Sequence, residues 1–288
     1  MIGGLGNQLF QYALGRRLAL ICNTSLKLDI RGFSTYYKLH KYSLFHFNID
    51  ENFVTSEEAG KYRNFFSRAF VECNQRIFGN KLGTYYQRNY VKECTEQFDE
   101  NILKVPSDVY IEGYWQTEKY FKEIAQQLRQ EFTFKTPPSE TNRLMGDVIK
   151  RNNSVSIHIR RTDYVTDAAS NQDHGVCGLP YYRRAMTHIS ERVETPHFYV
   201  FSDDMNWVKA NLRSEHATTY VDFNNADTNF EDLRLMSLCK HNIIANSTFS
   251  WWGAWLNQND GKIVIAPEKW YASNRSFGDV VPKEWIKM

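Results

Sequence analysis

From Ser154 to Ala266, apolar stretches of strand length alternate with amphipathic stretches of helix length, and this alternation restricts the fold more than any other feature. The spacing predicts strands over Ser154–Arg160, His197–Ser202, Thr218–Asp222, Asn242–Ala245 and Lys262–Ala266. It predicts helices over Pro180–Val193, Met205–Leu212, Asn229–Lys240 and Thr248–Gln258. A helix between each pair of strands is long enough to carry the chain back across the sheet, so the strands run parallel in a doubly wound α/β arrangement. Ligands of such sheets sit at the carboxyl ends of the strands, where the loops cluster.

The first half is less regular. A glycine-rich turn, Met1 to Gly6, leads into a helix from about Asn7 to Cys22, with Phe10, Leu14, Leu18 and Ile21 at helical spacing. A strand normally feeds such a turn, so the expectation is a chain that begins just after its first strand or is truncated inside it. Ser25–Ile30 and Val109–Trp115 read as strands, Phe53–Phe78 as one or two helices, and Lys119–Phe132 as helical. Lys135 to Asn142 is the best linker, because Pro137 and Pro138 exclude helix. The domains are therefore drawn as 1–140 and 141–288, and 288 residues with 42% apolar content can fill two cores.

Composition excludes several classes of partner. A formal charge of +2 from 35 basic and 33 acidic residues gives no electrostatic footprint for nucleic acid and at most a peripheral attraction to a membrane surface. Five scattered cysteines without a C-x-x-C pair fit reduced thiols in the cytoplasm rather than zinc or a disulfide framework. No apolar run approaches the roughly 20 residues of a spanning helix, and no signal peptide is recognisable. Aromatic residues at 15% suit sugar-stacking clefts, although core packing accounts for most such rings.

Three motifs carry chemistry. Gly3-Gly4-Leu5-Gly6-Asn7-Gln8 opens a helix, where glycines admit a ligand to the backbone and free N–H groups attract anions. Leu9 stands where a dinucleotide fingerprint needs a small residue, and a tight turn capped by Asn7 is the plain alternative. Ser156 to Tyr164 runs off a strand end. Alternation puts His158 and Arg160 on one face with Ile157 and Ile159 buried on the other, and adjacent Arg160 and Arg161 suit a pyrophosphate. A surface pair of Arg161 with Asp163 is the structural alternative. Asn246-Ser247-Thr248-Phe249-Ser250-Trp251-Trp252-Gly253 places hydroxyls and helix N–H groups where they form a second phosphate cradle, with both tryptophans read as packing. Phe201-Ser202-Asp203-Asp204 ends another strand and is explained nearly as well by a turn or helix cap. No D-x-D pair, P-loop, H-E-x-x-H or G-x-S-x-G occurs.

Taken together, Gly3 to Tyr12, His158 to Tyr164 and Asn246 to Gly253 resemble the bacterial α-1,2-fucosyltransferases of glycosyltransferase family 11. The resemblance implies two Rossmann-like domains in a GT-B fold, with an acceptor-side N-terminal domain, a C-terminal GDP-fucose-binding domain, and room for the last helix to pack back on the first. It implies inverting, metal-independent transfer of L-fucose from GDP-β-L-fucose to the 2-hydroxyl of a terminal galactose, with lactose or a glycan chain as acceptor and no cofactor. Arg160 looks like the arginine on the donor diphosphate, His158 like the residue lining guanosine, and Asn7 like the asparagine near diphosphate and acceptor. Arg161, Gly4 and Gly6 fall among the donor contacts. Ser247, Thr248 and Phe249 resemble phosphate and nucleoside contacts, and Asp232 the aspartate that reads guanine N1 and N2. Thr162 departs from the family's frequent glycine. Arg160, Asn7 and Asp163 form the expected catalytic set, with Asp163 the nearest candidate for a base. Transfer to another hydroxyl or to protein, and a non-catalytic glycan- or nucleotide-binding module, are the alternatives.

Overall fold

The computed structural model describes residues 1–35, 37, 40–62, 84–87, 89–162, 175–272 and 278–288. The chain divides into two compact units, Met1–Lys135 with Gly278–Val280, and Thr136–Phe277 with Val281–Met288. Both are α/β and both contain a sheet.

In the first unit, helix α1 (Leu5–Ile21) begins two residues before the periodic pattern does. The Asn7 and Gln8 N–H groups both donate to the Gly4 carbonyl, at 3.0 and 3.1 Å, so Gly4 and not Asn7 is the cap. Leu9, Phe10, Tyr12, Ala13 and Leu14 are all fully buried, which makes α1 a covered core helix rather than a surface one. Its rings meet those of the C-terminal part of the unit: Phe10 lies 6.0 Å from Phe121 and Tyr12 5.5 Å from Phe132, centroid to centroid.

The alternating stretch Ser25–Ile30 forms no ladder. Leu28 alone bridges to Phe53, and the chain then bends into α2 (Arg31–Ser34). The reason is local: the Asp29 carboxylate accepts from the Arg31 N–H at 3.2 Å and from its Nε and Nη2 at 2.8 and 2.7 Å, an alternative to strand pairing. Helix α3 (Ser56–Tyr62) is the described part of the helical stretch expected over Phe53–Phe78; residues 63–83 lie outside the described residues. Strands β1 (Tyr85–Gln87), β2 (Tyr90–Lys92) and β3 (Tyr110–Glu112) form a sheet in which β2 is antiparallel to β1 and parallel to β3. The helix expected over Lys119–Phe132 opens as two 3₁₀ turns, interrupted at Phe121 (φ −135°), before α4 (Ala125–Glu131).

The second unit follows the predicted alternation closely. Its strands are β4 (Ser154–Ile159), β5 (His197–Ser202), β6 (Thr218–Val221), β7 (His241–Ile243), β8 (Val264–Ala266) and β9 (Ile286–Lys287), all parallel and ordered β6-β5-β4-β7-β8-β9. Its helices are α5 (Glu140–Arg151), α6 (Leu179–Ser190), α7 (Met205–Asn211), α8 (Asn229–Leu238) and α9 (Thr248–Leu256). Helix α5 begins inside the stretch read as a linker, where the Ser139 hydroxyl accepts from the Asn142 N–H at 3.3 Å. The last described element is the edge strand β9 and not a helix.

Both faces of β4 are covered, as a central parallel strand requires. Val155, Ile157 and Ile159 pack with Tyr182, Ala185 and Ile189 of α6 and with Val208 of α7. On the opposite face a polar network replaces apolar contact: Asn242 Nδ2 donates to Ser156 Oγ at 2.7 Å and to the Met236 carbonyl at 2.9 Å, and Asn257 Nδ2 donates to Asn242 Oδ1 at 2.7 Å. Every amide there has a partner, which is the condition for burying such groups. Gly253 lets α9 close on α8, since a Cβ there would stand 3.0 Å from Met236 Cβ. The sheet reverses its winding between β4 and β7: from β4 the chain order proceeds outward to β5 and β6 on one side, and from β7 to β8 and β9 on the other. That junction is the switch point at which open α/β sheets bind ligands.

Candidate active site

β4 releases the chain at Ile159, and the pairing Ile159↔Ser202 sets the following residues beside the end of β5. Asp203 holds this loop. Its carboxylate accepts from the Arg161 N–H at 2.9 Å, the Thr162 N–H at 3.1 Å and Arg160 Nη1 at 3.1 Å, while its carbonyl accepts from the Thr162 hydroxyl at 3.0 Å. Asp204 caps α7 through the Trp207 N–H at 3.2 Å and also pairs with Arg161 Nε at 3.3 Å. The Arg161 guanidinium lies 3.5 Å from the Trp207 ring centroid. The arginines thus have different surroundings: Arg161 is stacked and paired with Asp204, whereas Arg160 leans on Asp203 from the strand end. Asp163, expected as the partner of Arg161 and as a base, lies outside the described residues.

His158 is buried, 5% exposed, on the face of β4 opposite Ile157 and Ile159. Its ring packs 5.6 Å from that of Phe249. Burial first, and the Arg160 charge second, lower its pKa to about 3, so it is neutral at physiological pH. Its Nδ1 has no hydrogen-bond partner among the described residues. A buried polar atom left this way is costly unless a ligand completes it.

Across the switch point, α9 starts at Ser247, whose backbone is extended and whose side chain does not cap the helix. The first turn, Thr248 and Phe249, stands at the positive end of the helix dipole. Asn246 is an anchor. Its Nδ2 donates to the Gly175 and Trp270 carbonyls at 3.3 and 3.1 Å, and its Oδ1 accepts from Cys177 Sγ at 3.3 Å. Trp251 and Trp252 are fully buried and meet edge to face in the unit's interior, packing as expected. The β4–β7 pairing and the His158–Phe249 contact bring His158, Arg160, Arg161, Ser247, Thr248 and Phe249 to one edge of the sheet.

Asp232 sits in the first turn of α8, which starts beyond the carboxyl end of β6. Asn224 Nδ2 donates to its Oδ1 at 2.7 Å. Burial raises its pKa to about 7; the Asn224 hydrogen bond opposes this and the charge of Glu231 adds to it. Asn224, Asn142 and Trp207 were not singled out from the sequence as partners of the site. An Asn-Asn pair 82 residues apart leaves no local signal, whereas the acidic residues ending β5 did.

In the first unit, Gly3 has φ +84°, and a Cβ there would stand 2.6 Å from Asn7 Nδ2. Asn7 Oδ1 accepts from Gln116 Nε2 at 2.9 Å. Gly6 is buried, while Gly4 has space beside His40. Gln8 ties the turn down, donating to the Gly3 and Lys41 carbonyls at 2.9 and 2.8 Å and accepting from the Ser43 N–H at 2.9 Å. Gln116 follows Trp115, a buried residue at φ +58° whose N–H is received by both oxygens of Glu93 at 3.0 Å. A left-handed tryptophan is strained, and Glu93 holds it there.

A doubly wound sheet with arginines, an uncapped helix N-terminus and an unpartnered imidazole at its switch point is an α/β protein suited to an anionic ligand that also carries a ring. Comparison with known proteins narrows this: residues 3–288 match Glycosyl transferase family 11, and the chain belongs to that family of glycosyltransferases. It is 38% identical over 296 residues to an alpha-1,2-colitosyltransferase of Escherichia coli, covering 100% of this chain and 97% of that protein. It is 31% identical over 309 residues to the O-antigen biosynthesis glycosyltransferase WbnK of Escherichia coli, covering 99% and 98%. The human galactoside alpha-(1,2)-fucosyltransferase 1 is 29% identical over 149 residues, 49% of this chain and 41% of that protein. Among the described residues, no group of three or more His, Cys, Asp or Glu side chains could hold a metal ion, and no helix is long and apolar enough to cross a membrane.

Proposed function

We propose that the protein transfers L-fucose from GDP-β-L-fucose to the 2-hydroxyl of a terminal galactoside, inverting the donor configuration to an α linkage. The observation that carries this reading is the convergence of buried His158, Arg160 and the α9 N-terminus at the switch point of a family 11 glycosyltransferase. Arg160 and the Ser247–Thr248 turn receive the diphosphate. His158 and Phe249 line the nucleoside, and Asp232 accepts from guanine N1–H and its exocyclic amine. As the glycosidic bond breaks, negative charge grows on the departing diphosphate. A guanidinium and helix N–H groups already in place stabilise that charge without reorganising. Arg161, held by Trp207 and Asp204, supports the loop and adds positive potential. Asn7, fixed by Gln116, supplies an amide from the glycine-rich turn, and the acceptor hydroxyl loses its proton late.

A second reading concerns the donor sugar, and the full-length similarity to a colitosyltransferase favours it. Colitose is fucose without the 3-hydroxyl. A site that hydrogen-bonds that hydroxyl rejects the deoxy sugar by about 10⁴-fold, whereas an apolar lining discriminates by about 10²-fold or less. Incubation with GDP-fucose or GDP-colitose and lactose, with mass spectrometry and linkage analysis of the trisaccharide, tests both readings. An α-1,2-fucosyl product at the higher kcat/KM supports the first. Preference for GDP-colitose replaces it with the second, and GDP release without a 2-linked product refutes the acceptor assignment.

A further inference from the structure

The sequence motifs contain no account of what aims Asp232, and the structure supplies one. Asn142, 3% exposed, and Asn224 face each other in a reciprocal amide pair: Asn142 Nδ2 donates to Asn224 Oδ1 at 2.9 Å, and Asn224 Nδ2 donates to Asn142 Oδ1 at 3.0 Å. The same Asn224 Nδ2 donates to Asp232 Oδ1 at 2.7 Å. Asn142 is itself tied to Ser139 Oγ, through Nδ2 at 2.9 Å. Asn225 clamps the loop behind, accepting from the N–H groups of Asp227 and Thr228 at 2.9 and 3.2 Å. The amide orientations follow from the network. Turning Asn224 over would set its oxygen against Asp232 Oδ1 and Asn142 Oδ1 together, two acceptor-to-acceptor contacts.

We infer that Asn224, locked by Asn142, is the positioning residue that fixes which oxygens Asp232 presents to the nucleobase and so sets the preference for guanine over other purines. The inference rests on the reading of Asp232 as the guanine contact. With one lone pair of Oδ1 engaged by Asn224, rotation of the carboxylate is stopped, leaving Oδ2 and the second lone pair of Oδ1 to meet the two donors of the base edge. A rotating carboxylate could still meet one donor of a purine, as in hypoxanthine, but would lose the simultaneous match to N1–H and the exocyclic amine that only guanine offers. The hydrogen bond also favours the ionised carboxylate against the burial that disfavours it. The charged groups around Asp232 are few among the described residues. Glu231 on the same helix pairs with Arg234 at 2.8 Å, Asp222 on the β6 side pairs with Lys209, Asp227 lies in the intervening loop, and α9 carries no titratable side chain. On α5, Arg143 is occupied by Glu140 and Asp147 at 2.8 and 3.0 Å.

Calorimetric titration of the full chain with GDP, IDP and ADP between pH 6 and 9 tests this on Asn224→Ala, Asn142→Ala, Asp232→Asn and the Asn224→Ala/Asp232→Asn double variant. Asn224→Ala is expected to reduce the GDP-to-IDP preference about fivefold and to move the midpoint of GDP affinity against pH upward by about one pH unit, so that much of the loss is recovered at pH 9. Asn142→Ala, which keeps the Asn224–Asp232 contact but unlocks it, should move both in the same direction by a smaller factor, and it carries the test if Asn224→Ala melts below the assay temperature. On the Asp232→Asn background, Asn224→Ala should change the preference by less than about twofold. An unchanged GDP-to-IDP ratio and pH midpoint in both asparagine variants, with Asp232→Asn still impaired, overturns the positioning role and leaves the guanine contact standing. Unchanged GDP binding by Asp232→Asn removes the contact itself, and the inference with it.

Discussion

Asp232→Asn should make the unliganded protein more stable while it weakens nucleotide binding. The carboxyl titrates near 7 in the folded chain against 3.8 for an unperturbed group. A folded-state pKa above the unfolded one means that the folded chain holds the extra proton between those values. The associated stability is complete below about pH 3.8, is lost as pH rises toward 7, and stays lost above it. About three pH units at about 1.4 kcal/mol each set an upper bound of roughly 4 kcal/mol on the cost of the ionised carboxylate at pH 8. Partial access to water reduces this to about 2 kcal/mol, half the bound, which corresponds to a rise in Tm of about 4 °C. An asparagine keeps an oxygen for Asn224 and removes the charge, but turns an amide donor toward the guanine edge. GDP affinity should therefore fall at least about tenfold. Differential scanning calorimetry at pH 8 and pH 4, with GDP titrations at pH 8, measures both effects. A Tm gain of the same size at both pH values, or none at pH 8, would show that the carboxylate is not strained by burial and would remove this explanation.

Arg160→Lys should lower kcat about a hundredfold or more, because a lysine keeps the charge but not the planar fork that meets the departing diphosphate; steady-state kinetics showing only a raised donor KM contradicts this. Arg161→Lys should be milder in kcat, and its main effect should be a loss of about 1 kcal/mol of stability in urea unfolding from the lost stack on Trp207. Glu93→Ala strips the acceptor from the Tyr114 and Trp115 N–H groups and should destabilise the chain by about 3 kcal/mol, read as a lower urea midpoint at unchanged m-value. Transfer activity should survive excess EDTA, since Arg160 and helix N–H groups occupy the role a divalent ion would otherwise fill; complete loss restored by magnesium or manganese overturns that assignment.

The second unit was legible because its covered parallel strands leave either a dense apolar run, as in Phe198–Phe201, or a strict strand alternation, as in Val155–Ile159, each followed by a helix-length stretch. Helix α5 was missed because Pro137 and Pro138 drew attention to the turn, while Ser139 three residues ahead of Asn142 is the helix start they precede. In the first unit, side-chain chemistry overrode pattern. Asp29 diverted an alternating stretch by gripping Arg31, and Phe121 broke a helical one with its non-helical backbone (φ −135°, ψ 10°). The residues gathered where β4 and α9 meet were legible as types, since arginines and a serine-threonine turn at strand ends have few structural uses. Most of their supports were not: Trp207, Asn142 and Asn224 act through contacts that form only when distant segments meet. Alternation placed His158 opposite Ile157 and Ile159, but it cannot report that a second layer, here Phe249, covers that face.

The switch point also has a bearing on how the protein folds. The β4 and β7 arms of the donor edge are joined by residues 86 apart in sequence, Ser156 and Asn242, so loop closure over most of the second unit must precede any competent site. Strands β4, β5 and β6 can pair in sequence order, but none of those pairings brings α9 to Arg160. A nucleotide that needs both arms can bind only after the last long-range pairing has formed. Its binding energy then appears as slower unfolding with an unchanged folding rate, the kinetic signature of contacts absent from the transition state.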